Sequence, residues 1–176
     1  MANNFFLTGE KGIGKSTIIN AVIDNFNGKI GGFKTVRKYY DDGRISFHFL
    51  DIKKNEIPNV DNILFYRCEN KNEEKITYKF NNFSSALDNL NDFDIIIMDE
   101  IGPNEENASL FKEKILKVLD SDKLVLGVLQ KTDSNFLDSI KNRIDTKVYT
   151  VTEENRKELK NEIIKIILGI FDNEKK

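Results

Sequence analysis

A glycine-rich stretch near the start of the chain has residue types and a spacing suited to binding phosphate. It reads Gly9-Glu10-Lys11-Gly12-Ile13-Gly14-Lys15-Ser16 and matches the phosphate-binding loop pattern G-x-x-x-x-G-K-[ST]. Glycines let backbone N–H groups curl around an anion, and a helix that starts after Gly14 directs its free N–H groups at the same anion. Lys15 would bridge the β- and γ-phosphates of a nucleoside triphosphate, and the Ser16 hydroxyl would hold Mg²⁺. The predicted phosphate-binding residues are Gly9, Glu10, Lys11, Gly12, Ile13, Gly14, Lys15, Ser16 and Thr17.

A second stretch, residues 93–100, is an apolar run that ends in two adjacent carboxylates, Asp99 and Glu100. Such a run is typical of a strand buried on both faces of a parallel sheet, and these sheets bind ligands at their carboxyl edge. Asp99 would hold Mg²⁺ through its water shell, and Glu100 would orient the attacking water. Because adjacent residues of a strand point to opposite faces, we expect the two side chains to point apart.

Length and composition favour a single domain over residues 1–176 that binds small molecules. The chain has 27 basic and 29 acidic residues and a formal net charge of −2, which argues against a nucleic-acid partner. Residues 1–4 lead directly into an apolar strand, so we expect no signal peptide, and no apolar run approaches the roughly 18 residues of a membrane span. A lone cysteine, Cys68, is typical of a reducing cytoplasm. We therefore expect a cytoplasmic monomer with no membrane partner.

The first half of the chain predicts a helix from Lys15 to about Phe26 and then a β-hairpin. Two β-prone runs, residues 32–40 and 44–50, flank an Asp-Asp-Gly turn. Alternation in the second run places His48 on the wet face, as a solvated histidine. Further predictions are a strand at Ile63–Arg67, a charged turn at residues 71–75, a strand at Ile76–Phe80 and a short helix at Phe83–Leu90.

The second half alternates helix and strand, which is the pattern of a parallel sheet. It predicts a helix at residues 105–119 with Leu110 facing inward, and then a strand at Leu124–Leu129 followed by Gln130. A helix at Asn135–Ile140 and a strand at Thr146–Thr150 come next. The chain closes with a helix that Thr152 caps and that frays at residues 172–176. The predicted fold class is α/β. A mostly parallel sheet is flanked by helices, and a hairpin-rich insertion at residues 32–80 follows the first helix.

With these motifs the chain resembles the small thermophile-type nucleoside triphosphatases. The resemblance covers nearly the whole chain. Its residues are Phe6-Leu7-Thr8-Gly9, the Gly32-Phe33 hairpin with Arg37, Asp99-Glu100-Ile101-Gly102, and Asn155-Arg156. After Ile101-Gly102 that family usually shows Met-Glu, whereas this chain reads Pro103-Asn104-Glu105.

The resemblance implies a P-loop fold and Mg²⁺-dependent hydrolysis of ATP, GTP, CTP and UTP to the diphosphate and phosphate. It also implies that the strand Leu124–Leu129 is inserted between the P-loop strand and the Asp99-Glu100 strand, so that Gln130 ends near the γ-phosphate. Asn155 and Arg156, in the loop after the last strand, would lie beside the base. Arg37 and Arg143 are the candidates for an arginine that stabilises the transition state.

Two other functions remain open from the sequence. A kinase would pass the γ-phosphate to a small-molecule or nucleic-acid hydroxyl, with Glu100 as its base and the hairpin region as an acceptor lid. A nucleotide-dependent switch would use slow hydrolysis to change a partner contact. The discriminating observation is phosphate release from ATP and Mg²⁺ with no acceptor added, at a rate above the slow hydrolysis of a switch.

Overall fold

A computed structural model describes residues 2–67 and 72–174. These residues form seven strands and five α-helices. The strands are β1 Asn4–Thr8, β2 Ile30–Tyr39, β3 Ile45–Asp51, β4 Ile63–Tyr66, β5 Ile95–Ile101, β6 Leu124–Leu129 and β7 Thr146–Thr150. The helices are α1 Lys15–Asn25, α2 Glu73–Phe83, α3 Ser109–Leu119, α4 Asn135–Lys141 and α5 Arg156–Glu174.

All seven strands belong to one sheet in the order β4-β3-β2-β5-β6-β1-β7. Strands β2, β5, β6, β1 and β7 are parallel, whereas β3 and β4 continue from β2 as an antiparallel meander. The predicted mostly parallel α/β fold with a hairpin after the first helix is confirmed. The position of β6 between β5 and β1 also confirms that Leu124–Leu129 is the inserted strand.

The sheet is covered on both faces, which explains the continuous apolar runs of its central strands. On one face, Ile95 and Ile97 pack with the apolar sides of α1 and α5. On the other face, Ile96 and Met98 pack with α2, α3 and α4. Because alternate residues of β5 enter the two cores, both faces of the strand must be apolar until its carboxyl end. Asp99 and Glu100 therefore lie near the carboxyl end of β5, directly after its apolar run.

The segment predicted as the strand Ile76–Phe80 lies inside α2, so that prediction is wrong. Ile76 and Phe80 are both buried in the core that α2 helps to form, and a separation of four residues places them on one helix face. The Asn72 side chain caps the helix by accepting a hydrogen bond from the Lys75 N–H at 2.9 Å. Residues 72–75 of the charged turn predicted at residues 71–75 form this cap and the first helical turn, and residue 71 lies outside the described residues.

His48 is buried rather than solvated, which contradicts the sequence prediction. Its Nε2 atom lies 2.5 Å from the Ser46 hydroxyl, and its Nδ1 atom lies 2.8 Å from the Asn62 side-chain oxygen. The turn before β4 covers this side of β3, since Asn62 also donates to the carbonyl of Ile57. Both faces of β3 are therefore covered, and the polar residues on one face hydrogen-bond to each other.

Three other predicted helices differ from the structure in type, in bounds or in the face that they bury. The short helix expected at Phe83–Leu90 is a 3₁₀ turn at Ser84–Leu87. Helix α3 begins at Ser109 after a 3₁₀ turn at Pro103–Glu105, and Leu110 on it is 45% exposed instead of facing inward. Helix α5 continues to Glu174, beyond the predicted start of fraying. Cys68 and residues 175–176 lie outside the described residues.

None of the helices within the described ranges is long and apolar enough to cross a membrane.

Candidate active site

The phosphate-binding loop connects β1 to α1 and has the backbone shape that its glycines allow. Gly12 and Gly14 have φ angles of 82° and 113°, a region that side-chain-bearing residues rarely adopt. No side chain caps the start of α1, so its first N–H groups point into the loop without a side-chain partner. The Lys15 ammonium group crosses this loop and donates to the carbonyls of Gly9 and Glu10 at 2.8 and 2.9 Å. This arrangement can bind an anion between the lysine and the helix N-terminus.

Ser16 and Asp99 meet although 83 residues separate them in sequence. The Ser16 hydroxyl donates to the Asp99 carboxylate at 3.3 Å. Asp99 is 2% exposed at the end of β5, and burial raises its pKa to about 6, with the nearby Glu100 charge adding to the increase and the Ser16 hydrogen bond opposing it. A buried carboxylate of this kind is stabilised in its ionised form by a cation.

The chemistry of this pair fits a magnesium ion. Over the described parts of the chain, no three His, Cys, Asp or Glu side chains cluster as a metal site. Magnesium does not require such a cluster, because it keeps several waters and binds through one or two protein oxygens together with substrate phosphates. Ser16 and Asp99 supply one hydroxyl and one carboxylate beside the phosphate-binding loop. They are therefore the residues that could hold the ion.

Glu100 is half-buried and lines the same cavity as Asp99, although adjacent residues of a regular strand were expected to point to opposite faces. The register between β5 and β6 shifts between Met98 and Ile101, and the simple alternation of the strand does not continue through the carboxylates. Burial raises the pKa of Glu100, whereas the positive charges of Lys15, Arg37 and Lys11 lower it. A carboxylate surrounded by three cations next to the phosphate loop can accept a proton or a hydrogen bond from a nucleophile.

Glu105 is a site residue that the sequence interpretation did not select. Its side chain is 4% exposed, and its carboxyl group accepts a hydrogen bond from the Gly102 N–H at 2.9 Å. Burial raises the pKa of Glu105 to about 8, and the Glu100 charge adds to the increase. A Cβ at Gly102 would lie 2.5 Å from the Gln130 side-chain carbon Cδ, so a larger residue here would require the Gln130 side chain to shift. The side chains of Glu105 and Gln130 thus pack around Gly102, two residues after Glu100.

The spacing of Glu105 from Gly102 could have identified it. A glutamate three residues after a helix N-cap commonly returns its carboxylate to the N-cap N–H. The Pro103–Glu105 turn that carries this pattern is only three residues long.

These groups line one cavity of about 570 Å³ at the carboxyl edge of the sheet. It contains most of the predicted site residues, namely Gly9, Glu10, Lys11, Gly12, Gly14, Lys15, Ser16, Thr17, Asp99 and Glu100. Arg37 and Gln130 also line it. Ile13 instead packs against the core next to α1.

Asn155 and Arg156 are not among the described residues that line this cavity. The Asn155 side chain is part of the turn before α5, because it accepts from the Thr152 N–H at 2.8 Å and donates to the Thr150 carbonyl at 2.9 Å. Thr152, which was predicted to cap the closing helix, accepts from the Asn155 N–H at 3.3 Å in the turn just before α5 begins at Arg156. Arg156 is exposed at the first position of α5.

Arg143 lies at the opposite edge of the sheet, so its proposed approach to the γ-phosphate is wrong. Its guanidinium group pairs with Asp120 and Asp145, each at 2.7 Å, and donates to the Leu119 carbonyl. Helix α4 returns the chain to the amino edge, where β7 begins. Of the two arginine candidates, Arg37 alone lines the cavity.

Comparison with known proteins places the chain in a family. The model of the family described as NTPase matches residues 4–164. The chain belongs to this NTPase family. A nucleoside-triphosphatase THEP1 from Methanocaldococcus jannaschii is 33% identical over 179 residues, covering 94% of this chain and 98% of the relative. The protein of the same name from Saccharolobus solfataricus is 31% identical, covering 95% of this chain and 94% of the relative.

Solved structures similar to this NTPase support the same fold. The crystal structure of THEP1 from Aquifex aeolicus has a TM-score of 0.66 at 18% identity and covers 93% of this chain and 98% of its own. The solution structure of a human cancer-related nucleoside triphosphatase has a TM-score of 0.68 at 23% identity, covering 94% and 97%. These structures confirm the fold that the resemblance implied, and the family model and the curated relatives confirm the resemblance itself.

Proposed function

We propose that this NTPase hydrolyses nucleoside 5′-triphosphates, including ATP, GTP, CTP and UTP, to the diphosphate and phosphate in a Mg²⁺-dependent reaction. The observation that carries the proposal is that one cavity is lined by the phosphate-binding loop, by the hydrogen-bonded Ser16 and Asp99, and by Glu100. Membership of the NTPase family supports it, and the Methanocaldococcus jannaschii and Saccharolobus solfataricus relatives are named nucleoside-triphosphatases.

The chain's own residues divide the work between binding and chemistry. The loop N–H groups and Lys15 would bind the β- and γ-phosphates, with phosphate oxygens taking the place of the Gly9 and Glu10 carbonyls at the ammonium group. Ser16 and Asp99 would hold Mg²⁺, which when bound neutralises charge on the phosphate oxygens. Glu100 would accept a hydrogen bond from the attacking water and hold it in line with the γ-phosphorus.

Arg37 and Arg156 have separate proposed roles. The Arg37 guanidinium carbon lies 5.5 Å from the centroid of the Phe47 ring, and its charge already acts on Glu100. A movement from this ring toward the γ-phosphate would supply positive charge as the phosphoryl group transfers. Arg156, exposed beside the loop after β7, would stack on the base, which suits the use of several bases. A monomeric state and a cytoplasmic location remain predictions.

The test is phosphate release from each of the four triphosphates with Mg²⁺ and no added acceptor. We expect release from all four and its loss when EDTA removes the metal. A folded protein that binds ATP but releases no phosphate from any of the four would refute hydrolysis. Release that continues unchanged in EDTA would refute the metal dependence alone.

A further inference from the structure

The cavity extends well beyond the phosphate-binding loop, over the strands of the meander. We call this extension the hairpin pocket. Its walls come from β2, β3, β4 and α2, and they are formed by Thr35, Arg37, Phe47, Leu64, Phe65 and Phe80. Arg37 has a proposed role in hydrolysis, but a water molecule attacking a phosphate needs none of the apolar walls, so this part of the pocket requires another explanation.

The sheet order puts the hairpin pocket on the far side of Glu100 from the phosphate-binding loop. Strand β5 has β2, β3 and β4 on one side and β6, β1 and β7 on the other. The phosphate-binding loop follows β1, whereas the pocket walls belong to β2, β3 and β4. A molecule in the pocket would therefore approach a bound γ-phosphate from the side of Glu100, the group that we propose accepts the hydrogen of the nucleophile.

The walls of the hairpin pocket are mainly flat and apolar. The Phe47 and Phe65 rings are stacked, with centroids 4.6 Å apart and planes inclined by 22°. Leu64 and Phe80, each 2% exposed, contribute their remaining surface to the cavity. A planar ring that replaces water against such a surface is favoured, because apolar area is removed from water on both sides.

Two polar groups add a requirement for hydrogen bonding. Thr35 Oγ1 is buried and has no hydrogen-bond partner in the part of the chain that the structure describes. A buried hydroxyl without a partner is costly, and a ligand group could satisfy it. The Arg37 guanidinium group at the rim can donate to an oxygen of the same ligand.

The group placed beside Glu100 has to be one that this carboxylate can act on. Glu100 lines the cavity that the hairpin pocket extends, and a hydroxyl can donate its hydrogen to a carboxylate. The ligand that meets these conditions is a flat ring attached to a hydroxyl-bearing group, which is the chemistry of a nucleoside.

We propose that the hairpin pocket binds a nucleoside-type alcohol and that the protein transfers the γ-phosphoryl group of ATP to its hydroxyl. The hydroxyl oxygen forms a bond to the γ-phosphorus while the bond from that phosphorus to the bridging oxygen breaks. The electron pair of that bond leaves with ADP, and the hydroxyl proton passes to Glu100. Water takes the position of the alcohol when the pocket is empty, so this activity goes beyond the proposed hydrolysis.

The experiment gives the full chain Mg²⁺ and ATP labelled in its γ-phosphate, with and without an equimolar mixture of adenosine, guanosine, cytidine and uridine. Label is then measured separately in free phosphate and in phosphorylated nucleosides. We expect the mixture to divert label into at least one nucleoside phosphate. Label found only in free phosphate, with the nucleosides at saturating concentration, would overturn the proposal.

A pair of phenylalanine variants shows whether any transfer uses this pocket. Phe65→Leu removes a ring of the pocket wall but keeps an apolar side chain, and it should lower the ratio of transfer to hydrolysis about tenfold, the scale of one aromatic contact. Phe83→Leu is the matched control, because Phe83 is also half-buried and stacks on another ring, that of Phe49, without lining the cavity. Equal losses in the two variants would overturn the assignment to the pocket.

The reaction without nucleosides keeps this proposal separate from the proposed function. Transfer to nucleosides without any phosphate release in their absence would leave the pocket proposal intact and refute hydrolysis. Phosphate release that no nucleoside diverts would do the reverse.

Discussion

Replacement of Glu105 by glutamine should stabilise the folded protein increasingly as the pH rises. Glu105 is buried, and the pKa of its carboxyl group is raised from 4.5 to about 8. Between these values the unfolded chain loses the proton that the folded chain keeps. The folded state then binds one proton more than the unfolded state, so this group makes the free energy of unfolding fall as the pH rises.

The size of the effect follows from the same linkage. One proton of difference changes the free energy of unfolding by about 1.4 kcal/mol per pH unit, so Glu105 can contribute at most about 4 kcal/mol between pH 5 and pH 8. Glutamine keeps an oxygen that can accept from the Gly102 N–H, but it has no carboxyl proton to lose. We therefore expect Glu105→Gln and the parent to be similar at pH 5 and the variant to be more stable by a few kcal/mol at pH 8.

Urea unfolding at pH 5, 6.5 and 8 measures this difference. The chain contains no tryptophan, so far-ultraviolet circular dichroism should follow the transition. Glu113→Gln, on the exposed side of α3, is the matched control for the loss of one carboxylate. A difference between Glu105→Gln and the parent that stays constant from pH 5 to pH 8 would show that burial does not hold Glu105 protonated.

The other predictions concern phosphate and base binding. Lys15→Ala should abolish turnover, because the ammonium group that neutralises the departing phosphoryl charge is lost; near-normal phosphate release by the folded variant would contradict the phosphate-loop assignment. Arg37→Ala should lower kcat more than ATP affinity, by about tenfold or more. Arg143→Ala removes an arginine from the opposite edge of the sheet and should leave kcat near that of the parent. Equal kcat values in the parent, Arg37→Ala and Arg143→Ala would exclude Arg37 as the arginine that stabilises the transition state. Arg156→Ala should raise KM for ATP and GTP, and unchanged values would mean that Arg156 only begins α5.

The sequence predicted the parts of the site whose chemistry is local. The phosphate-binding loop and the apolar strand before Asp99 each carry their signal within about ten residues. The parallel sheet then brings the two carboxyl ends together at one edge. The contact between Ser16 and Asp99 follows from these two facts without knowledge of the rest of the chain.

The errors arose where distant residues decide the structure. Alternation in β3 divides its side chains into two faces, but only the turn that carries Asn62 shows that the face with His48 is covered. The run from Ile76 to Phe80 fits both a strand and a helix face, and the helix is the form in which Ile76 and Phe80 share one core with the distant Phe111 of α3. Arg143 could have been excluded, because a helix that follows a parallel strand returns the chain to the amino edge.

The central claim, that Glu100 orients the attacking water, is tested most directly by Glu100→Gln. Mg-ATP affinity and kcat should be measured on the same preparation, because the interaction strengthens only as the water attacks. We expect affinity within a few-fold of the parent and a kcat lower by about 10² or more, the scale of a lost general base. A Glu100→Gln enzyme with the full kcat of the parent would contradict the claim, and Gln130 on the same cavity wall would then be the first residue to replace.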